Sequence, residues 1–437
     1  MLLLQLVTSG TLRALHLLSR LLGLTAASWQ MLSGRVGVGV APGKCEWYWR
    51  LHGCLVLLFV LGFSPVAMWM VITRMDFLRQ NHLLFMVGCH RYALLLGSAV
   101  LTLYRHTSRQ CRLIALGNKL LWCCRQLFTL LHTSRLQSSA HRLHTRDHLT
   151  IYVLAISLAC SCSYTVFLLR FDVEARRSSL FFCAVLFVYV CQLCLQLSLA
   201  LYLLALLLIS HLSHHCNLLL AQLLADAVHS HETLFTRCLP HRQHLLDSQQ
   251  RWLALELWRL LRLHRQLLRL SLRLCSLHNV QLVVFVIFVA VESIMHSFFS
   301  YFVTFSNWWL RKFHGPAPWN VEATVFTVAV FVQLSLVIGH THRLQQIFRR
   351  TRYIFSAGVK DVPIDCSKAL SQTYKIKFIF YSLQLHLYGL QLQVNERIFH
   401  LLACGLFRLN NSLLFGIVQT IIMYTIILIQ FDKIMNR

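Results

Sequence analysis

Seven stretches of mostly apolar residues recur along the chain, at about 52–73, 83–103, 149–169, 181–209, 280–306, 323–342 and 409–431. Each approaches the roughly 20 residues a helix needs to cross the hydrocarbon core of a bilayer. The runs are long and Leu-rich, without the alternation a lipid-facing strand would show. The pattern predicts an all-α polytopic membrane protein with seven transmembrane helices in a single membrane domain, 1–437. The second run is the least uniform, because His90 and Arg91 interrupt it. Within the leading segment, 1–51, Ala14, Leu17, Leu18, Leu21 and Leu22 repeat at helical spacing. That repeat predicts an amphipathic helix lying on the membrane or on the protein. It is not read as a secretory signal, since Arg13 and Arg20 fall within or after the apolar residues instead of ahead of them.

Charge fixes an expected orientation. Lys and Arg number 5, 8, 8 and 9 in alternate segments, against 2, 3, 2 and 2 in those between, leaving aside Arg91 and Arg408 within or at the start of spans. Positive residues accumulate on the cytoplasmic side. The N-terminus is therefore expected inside the cell and the C-terminus outside. The rich segments are long, 104–148, 210–279 and 343–408, and keep a helical period, most clearly in HLLDSQQRWLALELWRLLRLHRQLLRLSLRL. Long helices are expected to continue below the membrane there. The formal charge of +26 then faces anionic lipid and does not indicate nucleic acid. With 57% hydrophobic and 13% charged residues, a soluble basic domain is excluded.

The 16 cysteines are irregularly spaced and sit in or beside apolar runs, which suits packing between helices better than a disulfide framework. The predicted external loops, of about 9, 11 and 16 residues, contain none. Histidines cluster in HLSHHC (His211, His214, His215, Cys216) and in HSHETLFTRCLPHRQH (His229, His231, Cys238, His241, His244). Neither spacing matches an established four-ligand zinc site. No metal or other cofactor is expected.

The last run is the most polar. At about 100° per residue, Ser412, Gly416, Gln419, Met423 and Gln430 fall within about 60° of one another, with Ile427 alongside. A stripe that is polar, then apolar at Met423 and Ile427, then polar again fits a pore lining with a dewetting gate. It equally fits a packing face between helices, held by Gln and Ser.

At this point the chain resembles the insect gustatory receptor family, whose signature near the C-terminus is Thr-Tyr, five hydrophobic residues and Gln-Phe. Here Tyr424 is followed by Thr425-Ile426-Ile427-Leu428-Ile429 and then Gln430-Phe431, with Gly405-Leu406-Phe407 as the lead-in. Met423 departs from the signature Thr. The resemblance implies a ligand-gated, nonselective cation channel at the plasma membrane of a sensory dendrite. It also implies a homo- or hetero-tetramer, with the seventh helices lining a central pore and a small-molecule tastant and membrane lipid as partners. Tyr424 and Gln430 take the family's Tyr and Gln positions. Gln430 would stand near the outer mouth, where Asp432 could gather cations and Lys433 could cancel it. Sweet-taste members resemble one another in carrying Glu directly after the Tyr. Thr425 stands there instead, which points to a bitter-type or orphan role.

A ligand pocket is expected in the outer halves of the middle spans. Candidates are His90, Arg91, Ser161, Tyr164, Tyr189, Gln192, Glu292 and His296. Glu292 and His296 are four residues apart and share a helix face, and Arg91 is the nearest opposite charge for Glu292. An ion pair holding helices in register is preferred over direct ligand contact. A metabotropic seven-helix chemoreceptor is the alternative function, although the expected orientation is opposite to that of G-protein-coupled receptors. No catalytic constellation converges, so an enzyme is not expected.

Overall fold

In the computed structural model the described residues are 2–25, 27–28, 31–34, 37–40, 44–45, 47–74, 82–132, 145–171, 179–235, 243–305, 317–360, 402–403 and 407–435. They form eight helices: α1 (Leu2–Leu21), α2 (Trp47–Arg74), α3 (His82–His132), α4 (Thr145–Phe171), α5 (Ser179–Phe235), α6 (Gln243–Phe305), α7 (Ala317–Lys360) and α8 (Asn411–Met435). Six of these, α2, α3, α5, α6, α7 and α8, are long and apolar enough to cross a membrane. In α4 the described apolar stretch is shorter, Asp147–Ser161.

Four helices far outrun a bilayer. At 1.5 Å per residue, the 51 residues of α3 and 63 of α6 extend about 77 and 95 Å, against about 30 Å of hydrocarbon. Within the segments 104–148 and 210–279, the helical period is the continuation of these rods over 104–132, 210–235 and 243–279, while 133–144 and 236–242 lie outside the described residues. Of the segment 343–408, residues 361–401 and 404–406 lie outside the described residues.

The all-α architecture carries only minor additions. Three small antiparallel ladders accompany the helices: β1 (Ala27–Ser28) with β4 (Lys44–Cys45), β2 (Met31–Gly34) with β3 (Gly37–Val40), and β5 (Leu402–Ala403) with β6 (Phe407–Arg408). In β2–β3 the register runs from Met31 opposite Val40 to Gly34 opposite Gly37. Gly and Val alternate through GVGV, which disfavours helix and fits a short pleated pair.

α5 is the hub, packing against α3, α6, α7 and α2, with further contacts to α4 and α1. Its buried side chains alternate small and large: Ala184, Cys191, Cys194, Ala200, Tyr202, Leu203 and Leu206 are at most 1% exposed. Small residues allow close approach of helices where no hydrophobic effect drives them together. Cys191 and Cys194 are free thiols in this core.

α1 lies against α4 and α5 through Leu15 and Ser19. Most of the stripe predicted from periodicity points elsewhere: Ala14, Leu17, Leu18 and Leu21 are exposed, while Leu22 packs against the core. Beyond α1 the chain turns at Gly23, whose φ of +70° is the left-handed conformation that ends many helices. A Cβ there would also meet the Cα of Gly53 at 3.0 Å. The turn lets Leu24 insert, 1% exposed, while the Arg20 guanidinium covers the Trp49 ring at 4.2 Å.

Candidate functional site

Two features of the bundle carry chemistry. The first is α8 itself. Its packed face, against α6 and to a smaller extent α7, is made by Leu413, Leu414, Ile417, Ile421 and Leu428. Ser412, Gly416, Gln419, Met423, Ile427 and Gln430 are all exposed. By helical geometry this stripe lies opposite the packed face. Nothing within 4 Å would meet a Cβ at Gly416. Tyr424 and Phe431 are exposed too, 55% and 54%, and project from the flank between the two faces. Asp432 is buried on the packed side, 8% exposed, and not on the stripe with Gln430, so the cation-gathering place suggested for it is not where its side chain lies.

The second feature is a charge cluster between α3 and α6. Arg91 donates from Nε to both carboxylate oxygens of Glu292, at 2.9 and 3.0 Å, and its terminal nitrogen approaches Oε2 at 2.9 Å. Glu292 is 2% exposed. One turn along α6, His296 Nδ1 lies 2.8 Å from the Glu292 carbonyl oxygen and 3.3 Å from its carboxylate. A carbonyl only accepts, so Nδ1 carries the proton and donates. The His296 ring rests beside Phe326 of α7, and Arg91 reaches over Tyr92. An ionised carboxylate is tolerable at this depth only with such partners.

The other expected pocket residues are dispersed. His90 is exposed and bonds to the Met86 carbonyl in its own helix, away from the cluster that Arg91 joins. Ser161 is buried and back-bonds to Ser157. Gln192 is buried in α5 and Tyr189 half-buried there. Tyr164 falls in α4, its side chain outside the described residues. Among the candidates, then, Arg91, Glu292 and His296 form the one convergent group shown by hydrogen bonds.

A second set of polar ties was not anticipated. Just outside the predicted spans, Asp147 of α4 accepts from Arg343 of α7 and sits 3.7 Å from His211 of α5. Burial alone would raise the Asp147 pKa, but the bonds and charges of His211 and Arg343 outweigh it and hold it at about 2. Nearby, Thr150 and His340 bond at 3.0 Å. Further along, Asn217 donates to the Ile347 carbonyl and accepts from Thr351, whose oxygen meets His264 Nε2 at 2.9 Å. The sequence held one usable signal: with 15 acidic against 41 basic residues, an acid beside an apolar run has reason to be paired. The first histidine group is thus partly spent on helix ties. Among the described residues no three His, Cys, Asp or Glu side chains gather as metal ligands. The side chains of His229, His231, Cys238, His241 and His244 lie outside the described residues.

Long apolar helices around a buried hub, with intramembrane charge paired inside and a polar-striped helix outside, define a multi-pass membrane protein. The model of the 7tm Chemosensory receptor family matches residues 12–435, and the chain belongs to that family, one of receptors and not of enzymes. It is 43% identical over 438 residues to a Drosophila melanogaster protein described as "Putative gustatory receptor 77a", covering 99% of this chain and 94% of that one. The resemblance drawn from Tyr424, Gln430 and Phe431 is borne out. The fold is similar to that of the insect olfactory receptor OR5 from Machilis hrabei, with a TM-score of 0.52, 9% identity, and coverage of 96% of this chain and 97% of that one.

Proposed function

We propose that this chemoreceptor is a ligand-gated, nonselective cation channel of the gustatory type, assembled as a tetramer with α8 from each copy around the pore. The observation that carries this reading is the outward polar stripe of α8. Glutamine side chains facing lipid would leave amide groups without partners in hydrocarbon, which costs several kcal/mol per group at about the upper range. The stripe is instead suited to water and to neighbouring copies. Ser412, Gly416, Gln419 and Gln430 are the wet positions, and Met423 and Ile427 the dewetting constriction. Tyr424 and Phe431, on the flank, are placed to pack against the next copy.

In this reading α4 is the seventh crossing. Within its 27 residues, the stretch 149–169 extends about 32 Å, enough to span. The N-terminus is cytoplasmic, the C-terminus external, and α3, α5, α6 and α7 project into the cytoplasm. The ligand is a small molecule of bitter or orphan type, entering from outside, and Arg91–Glu292–His296 sets helix register below its pocket.

The test is membrane current from cells expressing the chain, recorded while a tastant panel is applied with G-protein signalling blocked. Evoked cation current, with conductance altered by Gln430→Ala, is expected. Responses abolished by the block would favour a metabotropic receptor. Evoked current with conductance and selectivity unchanged in Gln430→Ala would remove α8 from the pore.

A further inference from the structure

Between α3, α5 and α6, close to the docked tail of α1, lies a small cavity. It measures about 10 Å³ in terms of where the centre of a water molecule fits. That is about the room one water requires. Its walls include Thr102, Ser198, Tyr202, His278 and Gln281, with Leu195, Leu199, Leu282 and Phe285 behind them. Thr102, Ser198 and His278 are at most 4% exposed.

The hydrogen bonds around it fix which atoms remain to be satisfied. The Leu24 carbonyl can only accept, so His106 Nδ1 donates to it at 3.1 Å. In the neutral ring Nε2 is then an acceptor, and Ser198 spends its single proton there at 2.8 Å. Ser198 Oγ therefore presents only lone pairs to the cavity. The same reasoning applies to His278, whose Nδ1 donates to the Leu274 carbonyl at 3.1 Å and whose Nε2 is left as an acceptor. Thr102 Oγ1 and Gln281 Oε1 are buried and meet no protein partner. The Tyr202 hydroxyl is directed at Thr341 and Cys275, outside the lining; the rest of the wall thus offers one hydroxyl donor, Thr102, and three acceptors. A water molecule has two protons to give and lone pairs to receive one, which suits this set. A cation would meet neutral groups with no carboxylate in the lining.

We propose that this cavity is a binding site for one water molecule, which joins α3, α5 and α6 and ends a hydrogen-bonded chain that starts at Leu24, just past α1. The route is Leu24 carbonyl, His106, Ser198, water, then Thr102 and either His278 or Gln281. Docking of the α1 tail and hydration of the bundle interior are then linked, and each stabilises the other.

The experiment is a density map of the full-length protein in lipid nanodiscs at a resolution that shows waters, with sodium present and with sodium replaced by N-methylglucamine. One peak within about 3 Å of Thr102 Oγ1 and of Ser198 Oγ, present in both salts, is expected. No peak beside well-ordered lining side chains would overturn the proposal. A peak present only with sodium would overturn it as well, since the occupant would be a cation. The linkage is read by hydrogen exchange at the Leu24 and Thr25 amides, both bonded to the Ser19 carbonyl. Thr102→Val keeps the shape and removes the hydroxyl, and should speed exchange there several-fold, about tenfold at most, with α8 amides unchanged. Unchanged exchange at Leu24 and Thr25 would break the chain between water and α1. Should the variant not fold, the native maps alone decide the site.

Discussion

α5 and α8 are both apolar enough to cross a membrane, yet 72% of the α5 stretch is buried within the chain and only 6% of the α8 stretch. Hydrophobicity does not distinguish them, because lipid and protein interior are equally dry. The placement of small and polar residues does. α5 carries Ala, Cys, Ser and Gln around much of its middle, and these are packed there: Ala184, Cys191, Gln192, Gln196, Ser198 and Ala200 are at most 3% exposed. α8 packs mainly through Leu and Ile, with Asp432 beside them, and turns its Ser, Gly and Gln outward. One helix is the scaffold of a single copy. The other meets its own chain on one face only.

The contrast can be broken at several points, and the largest effect should come from charge. Glu292→Ala leaves the half-buried Arg91 without its carboxylate, and should cost about 3 kcal/mol, toward the lower end for a broken buried pair. Measured by surface level and by melting of the solubilised protein, it should be far worse than the double change Arg91→Leu with Glu292→Leu. The milder Glu292→Gln should impair assembly or gating more than ligand choice. A normal surface level and a normal response in that variant would count against a register role.

The next effect lies in the hub. Leu203→Ala in α5, at a site 1% exposed, should lower stability by about 2–5 kcal/mol through lost packing and the cavity left behind. Ile422→Ala in α8, at a site 54% exposed, should change the melting of a single copy by about 0.5 kcal/mol or less. Equal losses in the two would erase the distinction between scaffold and outlying helix.

Acid should act next, on the ties around α5. The folded Asp147 pKa of about 2 lies below the ordinary value of about 3.9. Its stabilisation is therefore complete above about pH 4 and is lost as pH falls through about 2. Asp147→Asn should be less stable at neutral pH and should lose this part of the acid dependence. Melting curves across that range decide it; parallel curves for both proteins would remove Asp147 from the tie. The smallest structural effect is expected from Gln419→Leu, which should leave melting unchanged while altering conductance. A loss of stability comparable with Leu203→Ala would instead mark Gln419 as a packing residue.

How far the sequence reached depended on how few solutions each pattern allowed. A carboxylate in an apolar run has almost no permissible partners, so Arg91 could be named for Glu292 in advance, and the two meet at 2.9 Å. His90, adjacent in sequence, looked equivalent but points outward, because neighbours in a helix differ by about 100°. The apolar repeat on α1 announced an amphipathic helix and not which way it would face; Leu17, Leu18 and Leu21 look away from the bundle. Asp147, Arg343 and His211 stand in three helices far apart in the chain, and no local period relates them.

The sequence by itself determined that this protein is built of long membrane helices, that its last helix carries a polar stripe, and which family it resembles. Hydrophobic run length, helical period and a short motif are local properties, and a bilayer narrows what they can become. Only the tertiary structure decided that α5 is the hub, that the α8 stripe faces away from its own chain, and that α3, α5 and α6 enclose a polar cavity beside the α1 tail. Those facts depend on which faces of different helices meet, and equally apolar surfaces can meet in many ways until small residues and hydrogen-bond partners select one.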